Sequence, residues 1–429
     1  MIRLDAREPG FPTAFATLVD ARRETDADVA ADVSAILARV RVEGDAALID
    51  LTRKFDGFDL ESEGWSISAE ECAVAYAGLA PELRDALDLA AERIRTYHAK
   101  QRPADSDWTD DVGVRMGARW TAVEAAGLYV PGGRAAYPSS VLMNALPAKV
   151  AGVDRLTMVT PTPRGALNQT VLAAAHIAGV DQIWRVGGAQ AVAALAYGTA
   201  RIAPVDVIVG PGNAWVAEAK RQLYGRVGID MVAGPSEILV IADADNEPNW
   251  IAADLLSQAE HDPTSQSILI TDNADFADAV TAAVERTLSE LTTTEKTARE
   301  SWEANGAIIL LADLNDAPPL VDKLAPEHLE LAVADPNALF ARVRHAGSVF
   351  LGRHTPEAIG DYLGGPNHVL PTGRRARFAS GLSVTDFMKR TSFLAASPEA
   401  MRAIGPAAAI LADAEGLPAH AASVRARLS

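Results

Sequence analysis

The stretch "DQIWRVGGAQAVAALAYGTARIAPVDVIVGPGNAWV", residues 181–216, decides the fold. It opens on a short β-rich run, breaks at Gly187–Gly188 and continues as an Ala-rich helical pattern. A second β run, 205–209, breaks again at "GPGN" before another helical start. Strand, tight turn, helix, strand is the pattern of a βαβ unit, whose strands run parallel. Working outward, the same rhythm occurs in "AGLYVPGG" (126–133) and "RLTMVTPTP" (155–163). It returns as a second series in "EILVIADA" (237–244), "QSILITDN" (266–273), "AIILLADL" (307–314) and "GSVFLGRH" (347–354). The expected fold class is α/β, with two parallel-sheet modules packed together. Duplication would account for two series of similar length, although their residues match too weakly to establish it.

The flanks read differently. Residues 15–105 carry apolar residues at i, i+3, i+4 and i+7, as in "APELRDALDLAAERIRTYHAKQ", and so read as helical. From about 376, "RFASGLSVTDFMKRTSF" leads into an Ala-rich helical tail. The expected organisation is a mainly helical N-terminal region (1–110), a first α/β module (111–235), a second (236–375) and a small helical C-terminal segment (376–429). No low-complexity linker separates them, so they are expected to pack against one another.

A chain of 429 residues can bury a large core, and its formal charge of −18 opposes nucleic acid and anionic membrane surfaces. No basic start precedes an apolar run, and no 18-residue apolar stretch occurs, so a cytoplasmic protein without a membrane span is expected. Cys72 is the only cysteine, which excludes an intrachain disulfide and a Cys-based zinc site.

In open α/β sheets ligands sit at the carboxyl ends of strands, near a switch in strand order. The turns at 129–133, 186–191 and 209–216 occupy such ends, and each leads towards a helix N-terminus that favours an anionic group. The dinucleotide fingerprint G-x-G-x-x-G is incomplete, because Trp215 stands where the third glycine after Gly210 and Gly212 would fall. Either an atypical loop set holds a nucleotide or these are ordinary strand–helix turns.

Polar side chains concentrate in the second half. "LLSQAEHDPT" places Gln258 three residues before His261, where one helix face would bring an amide oxygen and an imidazole together. The alternative is that they close a helix before Asp262–Pro263. "LAPEHLEL" carries Glu327 and His328, which could equally be a helix first turn. "IGDYLGGPNHVLPTG" sets Asp361 and His368 in a Gly/Pro/Asn-rich loop, "AEGLPAHAASV" offers Glu415 and His420 across a helix break, and "VAGPSEILV" puts Ser236 at the mouth of a strand. His98, His176, His345 and His354 sit in helical patterns or polar loops and are set aside. Gln258, His261, Asp361 and His420 together would make an N/O set suited to zinc, but residues so far apart cannot establish a metal by spacing.

Taken in order, "GLYVPGGRAAYPSSVLMNALPAKVAGV", "GPGNAWVAEAKR", "IDMVAGPSEILVIAD", "LLSQAEHD", "APEHLEL", "GDYLGGPNHVLPT" and "SGLSVTDFMKR" resemble the histidinol dehydrogenase family, over essentially the whole chain. The resemblance implies two Rossmann-like modules and a homodimer with one Zn²⁺ per subunit. It implies two successive NAD-dependent oxidations of L-histidinol, through the aldehyde, to L-histidine, the last step of histidine biosynthesis. By motif, the metal ligands fall on Gln258, His261, Asp361 and His420, and the catalytic pair on Glu327 and His328. The cofactor contacts fall on Tyr129, Gln190 and Asn213. Ser236, His368 and Glu415 would contact substrate, as would Gln258, His261, His328, Asp361 and His420 around it. Glu415 and His420 would reach the neighbouring subunit's site.

On this reading His328 is the base of both oxidations and Glu327 activates the water of the second. A helix N-terminus at Pro326 would favour neutral His328. Cys72 lies far from every polar block, so thiol catalysis is not expected. The rival readings are an NAD-dependent dehydrogenase of another small alcohol such as sulfopropanediol, a zinc hydrolase with Glu327 on a metal-bound water, and a non-catalytic binding protein.

Overall fold

In the computed structural model residues 1–21, 29–132, 137–232 and 234–428 are described. Gly133 of the first turn, Ala233 of "VAGPSEILV" and residues 22–28 of the helical stretch 15–105 lie outside them. The strands are β1 (Ile2–Asp5), β2 (Ser66–Ile67), β3 (Ser106–Thr109), β4 (Val114–Ala122), β5 (Ala125–Tyr129), β6 (Arg155–Val159), β7 (Gln182–Trp184), β8 (Val207–Val209), β9 (Gly228–Ile229), β10 (Glu237–Ala242), β11 (Gln266–Thr271), β12 (Ala307–Leu310), β13 (His328–Ala332), β14 (Ser348–Leu351) and β15 (Met388–Ala396). They form two six-stranded sheets, ordered β2-β7-β6-β5-β8-β9 and β1-β12-β11-β10-β13-β14, and a three-stranded sheet β15-β4-β3.

Both large sheets repeat one plan. Counting from each module's first strand, the order is third, second, first, fourth, fifth, and these strands pair in parallel. Strand order reverses beside β5 in one sheet and beside β10 in the other, the switch point of a doubly wound fold. The likeness lies in topology, which explains why residue matching did not reveal it.

Burial follows from the residues. β10 reads EILVIA and is buried throughout, as a parallel strand covered on both faces must be. Its alternate residues divide: Ile238, Val240 and Ala242 pack under the helices Pro248–Ala259 and Ala274–Glu290, while Leu239 and Ile241 pack with Phe15, Leu18 and Val321 on the other face. β5 divides likewise, with Ala126 and Leu128 in one cluster and Ala125 and Tyr129 in another.

Two features of the organisation go beyond the expectation. The N-terminal region is not a helical unit apart, because β1 joins the edge of the second sheet in parallel and β2 the edge of the first antiparallel. Its helices Ala30–Glu43 and Pro81–Ala99 pack on the first module. The C-terminal segment is not all helix: β15 pairs along nine residues with β4, from Met388–Ala122 to Ala396–Val114. Its burial is mostly exposed.

The modules are joined by a short linker from Ile229 to Glu237, which carries the chain from the carboxyl end of β9 to the amino end of β10. Asn367 donates to the Met143 carbonyl at 2.6 Å, Gly234 N–H donates to Thr372 Oγ1 at 2.6 Å, and Arg375 donates to the Val232 carbonyl. The segment 367–375 thereby ties the amino edge of the second sheet to the first module. At the opposite, carboxyl edge of the second sheet, Asp243 takes Arg353 Nη2 at 2.7 and 2.6 Å and the Ala334 N–H at 2.9 Å. Asn246 donates to the Ala332 carbonyl there at 2.7 Å. These contacts tie together the loops that follow β10, β13 and β14.

Candidate active site

The pocket is built where a strand and a helix match their periods. On β13, His328 and Glu330 share one face while Leu329 and Leu331 enter the core on the other. The helix Pro248–Ala259 lies across that face, with Asp254 and Gln258 one turn apart. Gln258 meets His328, at 3.0 Å between Oε1 and Nδ1, and Asp254 hydrogen-bonds Glu330. This helix ends at Ala259, and His261 follows in the closing turn, its N–H on the Gln258 carbonyl at 3.3 Å. Gln258 and His261 therefore do close a helix, and they do so beside the pocket.

Glu327 and His328 do not begin a helix. Ala325 takes a left-handed φ of 42° after the helix Pro318–Leu324, and β13 starts at His328. No helix dipole acts on His328, and burial does the work instead, lowering its pKa to about 3 with help from the nearby His261 and His368. Its Nδ1 lies 3.1 Å from the Glu237 carbonyl and 3.3 Å from Glu357 Oε1. Glu327 is buried beside it, pushed well above the usual carboxylate range by desolvation, and its Oε2 accepts the Glu237 N–H at 2.9 Å.

Asp361 lies on the short helix Glu357–Tyr362 and not in a loop. Its pKa is raised to about 6 by burial. His368 Nδ1 lies 3.1 Å from the Asp361 carbonyl, and burial lowers that imidazole to about 4. Ser236 stands at the amino mouth of β10, its carbonyl accepting the Gln266 N–H at 2.9 Å.

Gln258, His261, Glu327, His328, Asp361 and His368 thus converge at the amino edge of the second sheet. Glu415 and His420 do not join them within one chain. They are exposed, near and within the helix Pro418–Arg425, and no hydrogen bond or ion pair among the described residues links their side chains to the pocket.

The sequence reading missed Glu357. His328, Glu357 and Asp361, the last an expected ligand, place ligand atoms within 4.8 Å of one another, and the Gln258 amide lies 3.0 Å from His328 Nδ1. Glu357 Oε2 and His328 Nε2 are buried without a hydrogen-bond partner. Turning the Gln258 amide over would let its nitrogen donate to Glu357 Oε1 at 3.2 Å and to the Glu237 carbonyl at 3.3 Å, freeing its oxygen. Four acids, Glu327, Glu330, Glu357 and Asp361, all have raised pKa values in this small volume. Crowded buried carboxyls with neutral imidazoles and unpartnered lone pairs are a donor set that fits a divalent cation. No local signal marks Glu357, which reads in "TPEAIGDY" as an ordinary acid in a helix first turn.

The three expected cofactor contacts gather at the carboxyl edge of the first sheet. Tyr129 ends β5, and its hydroxyl accepts the Gly188 N–H at 3.0 Å. Gln190 is buried in the helix Gly188–Tyr197 and folds back on Gly188, where an added Cβ would lie 2.7 Å from Oε1. Asn213 caps the helix Ala214–Leu223, its Oδ1 accepting the Val216 N–H at 3.2 Å.

The family model described as histidinol dehydrogenase matches residues 19–428. The chain belongs to the histidinol dehydrogenase family. It is 67% identical to a histidinol dehydrogenase of Zymomonas mobilis, with 100% of both chains covered, and 65% identical to one of Rhodospirillum rubrum, with 100% of this chain and 99% of the relative covered. A crystal structure of histidinol dehydrogenase from Elizabethkingia anophelis superposes with a TM-score of 0.94 at 35% identity, covering 100% of this chain and 98% of that one. As a histidinol dehydrogenase family member the chain is an NAD-dependent oxidoreductase. No helix among the described residues is long and apolar enough to cross a membrane.

Proposed function

We propose that this chain oxidises L-histidinol to L-histidine in two NAD-dependent steps, in a cytoplasmic homodimer carrying one Zn²⁺ per subunit. The observation that carries the reading is the convergence of buried Gln258, half-buried Asp361 and the exposed His261 on the buried pair Glu327 and His328, in a chain this similar to named histidinol dehydrogenases. Gln258, His261 and Asp361 would hold the metal, with a partner chain's residue 420 completing the set. Zinc bound there would supply a fixed positive point for the substrate's imidazole and amine. His368, Glu415 and Ser236 would line the substrate, and Tyr129, Gln190 and Asn213 the nucleotide.

His328 is neutral at physiological pH because burial disfavours its charged form. It can therefore take the hydroxyl proton as the carbinol hydride leaves for the nicotinamide. The Glu237 carbonyl at Nδ1 holds the ring. In the second step Glu327, which the charge of a bound cation nearby would favour as carboxylate, would take a proton from the water that adds to the aldehyde, and His328 would again take the hydroxyl proton as the second hydride leaves. The first oxidation thus gives up one hydride and one proton; the second, counting the added water, gives up one hydride and two protons, one to Glu327 and one to His328.

Completion in trans is supported by the exposed positions of Glu415 and His420, and by the apolar side chains open around them: Ile404, Ile410, Leu411 and Leu417 on the C-terminal helices, and Leu394 on β15. A face of this kind calls for a cover. The division into an N-terminal region, two modules and a C-terminal segment remains the proposed organisation, with β1 and β2 lent to the two sheets. Relatives named histidinol dehydrogenase disfavour the other small-alcohol dehydrogenase and the hydrolase. NADH formation from histidinol, measured with and without a chelator, tests the function: two NADH per histidinol, lost on chelation, is the expected result, and none would overturn it.

A further inference from the structure

We infer that Lys220 and Asp230 form a positioning pair that sets the nucleotide loop 210–213. Both are buried, their side chains 2% and 1% exposed, and they make an ion pair. Together they grip both polar groups of one peptide residue. The Gly210 N–H donates to Asp230 Oδ2 at 2.8 Å, and the Gly210 carbonyl accepts from Lys220 Nζ at 3.0 Å. Gly210 has a φ of +112°, and a Cβ there would lie 2.2 Å from the Tyr129 carbonyl, so the loop is pressed onto the end of β5. On the far side, Asp230 Oδ1 accepts the Met231 N–H at 2.6 Å, the first step of the linker to the second module.

The pair therefore fixes one loop between two neighbours: Tyr129 below and the inter-module linker beside it. Neutralising a buried lysine would need only a carboxylate anywhere in reach. Here the two charges are spent on adjacent atoms of the residue that opens the turn, three positions before Asn213. The inference rests on the reading that Tyr129 and Asn213 contact NAD.

Lys220→Met alone would strand a buried carboxylate, so the test uses Lys220→Met/Asp230→Asn, which keeps the volume and one oxygen for the Gly210 N–H. KM for NAD and KM for histidinol are measured separately on the metal-loaded enzyme, with Asn213→Ala alongside. The double variant is expected to raise KM for NAD about tenfold while KM for histidinol stays within about twofold. Asp230→Asn alone should raise the same constant less. An unchanged NAD constant in the double variant, beside a raised one in Asn213→Ala, overturns the positioning role alone. Unchanged NAD constants in both overturn the loop reading and the inference with it. NAD and histidinol constants rising together would also overturn it, marking a general loss of structure.

Discussion

At the scale of single residues, the pocket's chemistry is set by what burial does to charge. Asp361 keeps its proton to about pH 6, whereas an unfolded aspartate releases it near 3.8. Between these values the folded state binds more protons, so stability falls as pH rises through that window and the deficit is complete above pH 6. Asp361→Asn should therefore stabilise the metal-free protein at pH 7, by at most about 3 kcal/mol, while abolishing metal binding. Denaturant melts of chelated wild type and variant at pH 5 and pH 7 check the first half, and metal content the second; a gain over wild type no larger at pH 7 than at pH 5 would contradict it. For the imidazoles the sign is reversed. His328 and His368 stay neutral down to about 3 and 4, so they contribute stability above about pH 6.5 that is lost as the pH falls. In catalysis, His328→Asn should slow both oxidations by about 10²–10⁴-fold, and Glu327→Gln chiefly the second. Rates measured separately from histidinol and from histidinaldehyde distinguish them, and equal losses would refute the division of roles.

At the scale of elements, the amino ends of β13 and β14 position Glu327 and His328, the proposed catalytic pair. Gly347 passes so close to the Glu327 carbonyl that an added Cβ would lie 2.6 Å from it, with the Leu370 side chain at 3.3 Å. Gly347→Ala should displace Glu327 and His328, lowering kcat at least about tenfold for a stability loss of about 1–3 kcal/mol. A normal kcat would show that the pocket tolerates the shift. Much at this scale was legible in the sequence. The two strand series were readable because each apolar run is long enough to cross a covered sheet and is stopped by Gly, Pro or Asn. Strand order was not, since nothing local in "IRLD" says that β1 will pair with β12 some 300 residues away. β15 escaped for the same reason: "MKRTSFLAA" becomes a strand only because β4 offers it an edge. The site shows the same split. Gln258, His261, Asp361 and the Glu327–His328 pair stood out as motifs, whereas Glu357 is one acid among many until the fold sets it 3.3 Å from His328.

At the scale of the whole molecule, a single chain holds most of a site and lacks Glu415 and His420. If these come from a partner, two defective chains can repair each other. Mixing His420→Asn with His328→Asn chains, each nearly inactive alone, should restore about a quarter of normal activity after random reassociation, since half the dimers are mixed and each has one intact site. No recovery in verified mixed dimers would exclude the trans arrangement. The crosslinked carboxyl edge of the second sheet, held by Asp243, Arg353 and Asn246, bears on timing. If the nucleotide binds only at the first module, as proposed, spent NADH must depart and fresh NAD arrive while the half-oxidised aldehyde waits inside, and an enzyme of this build has to keep a reactive guest captive between its two turns.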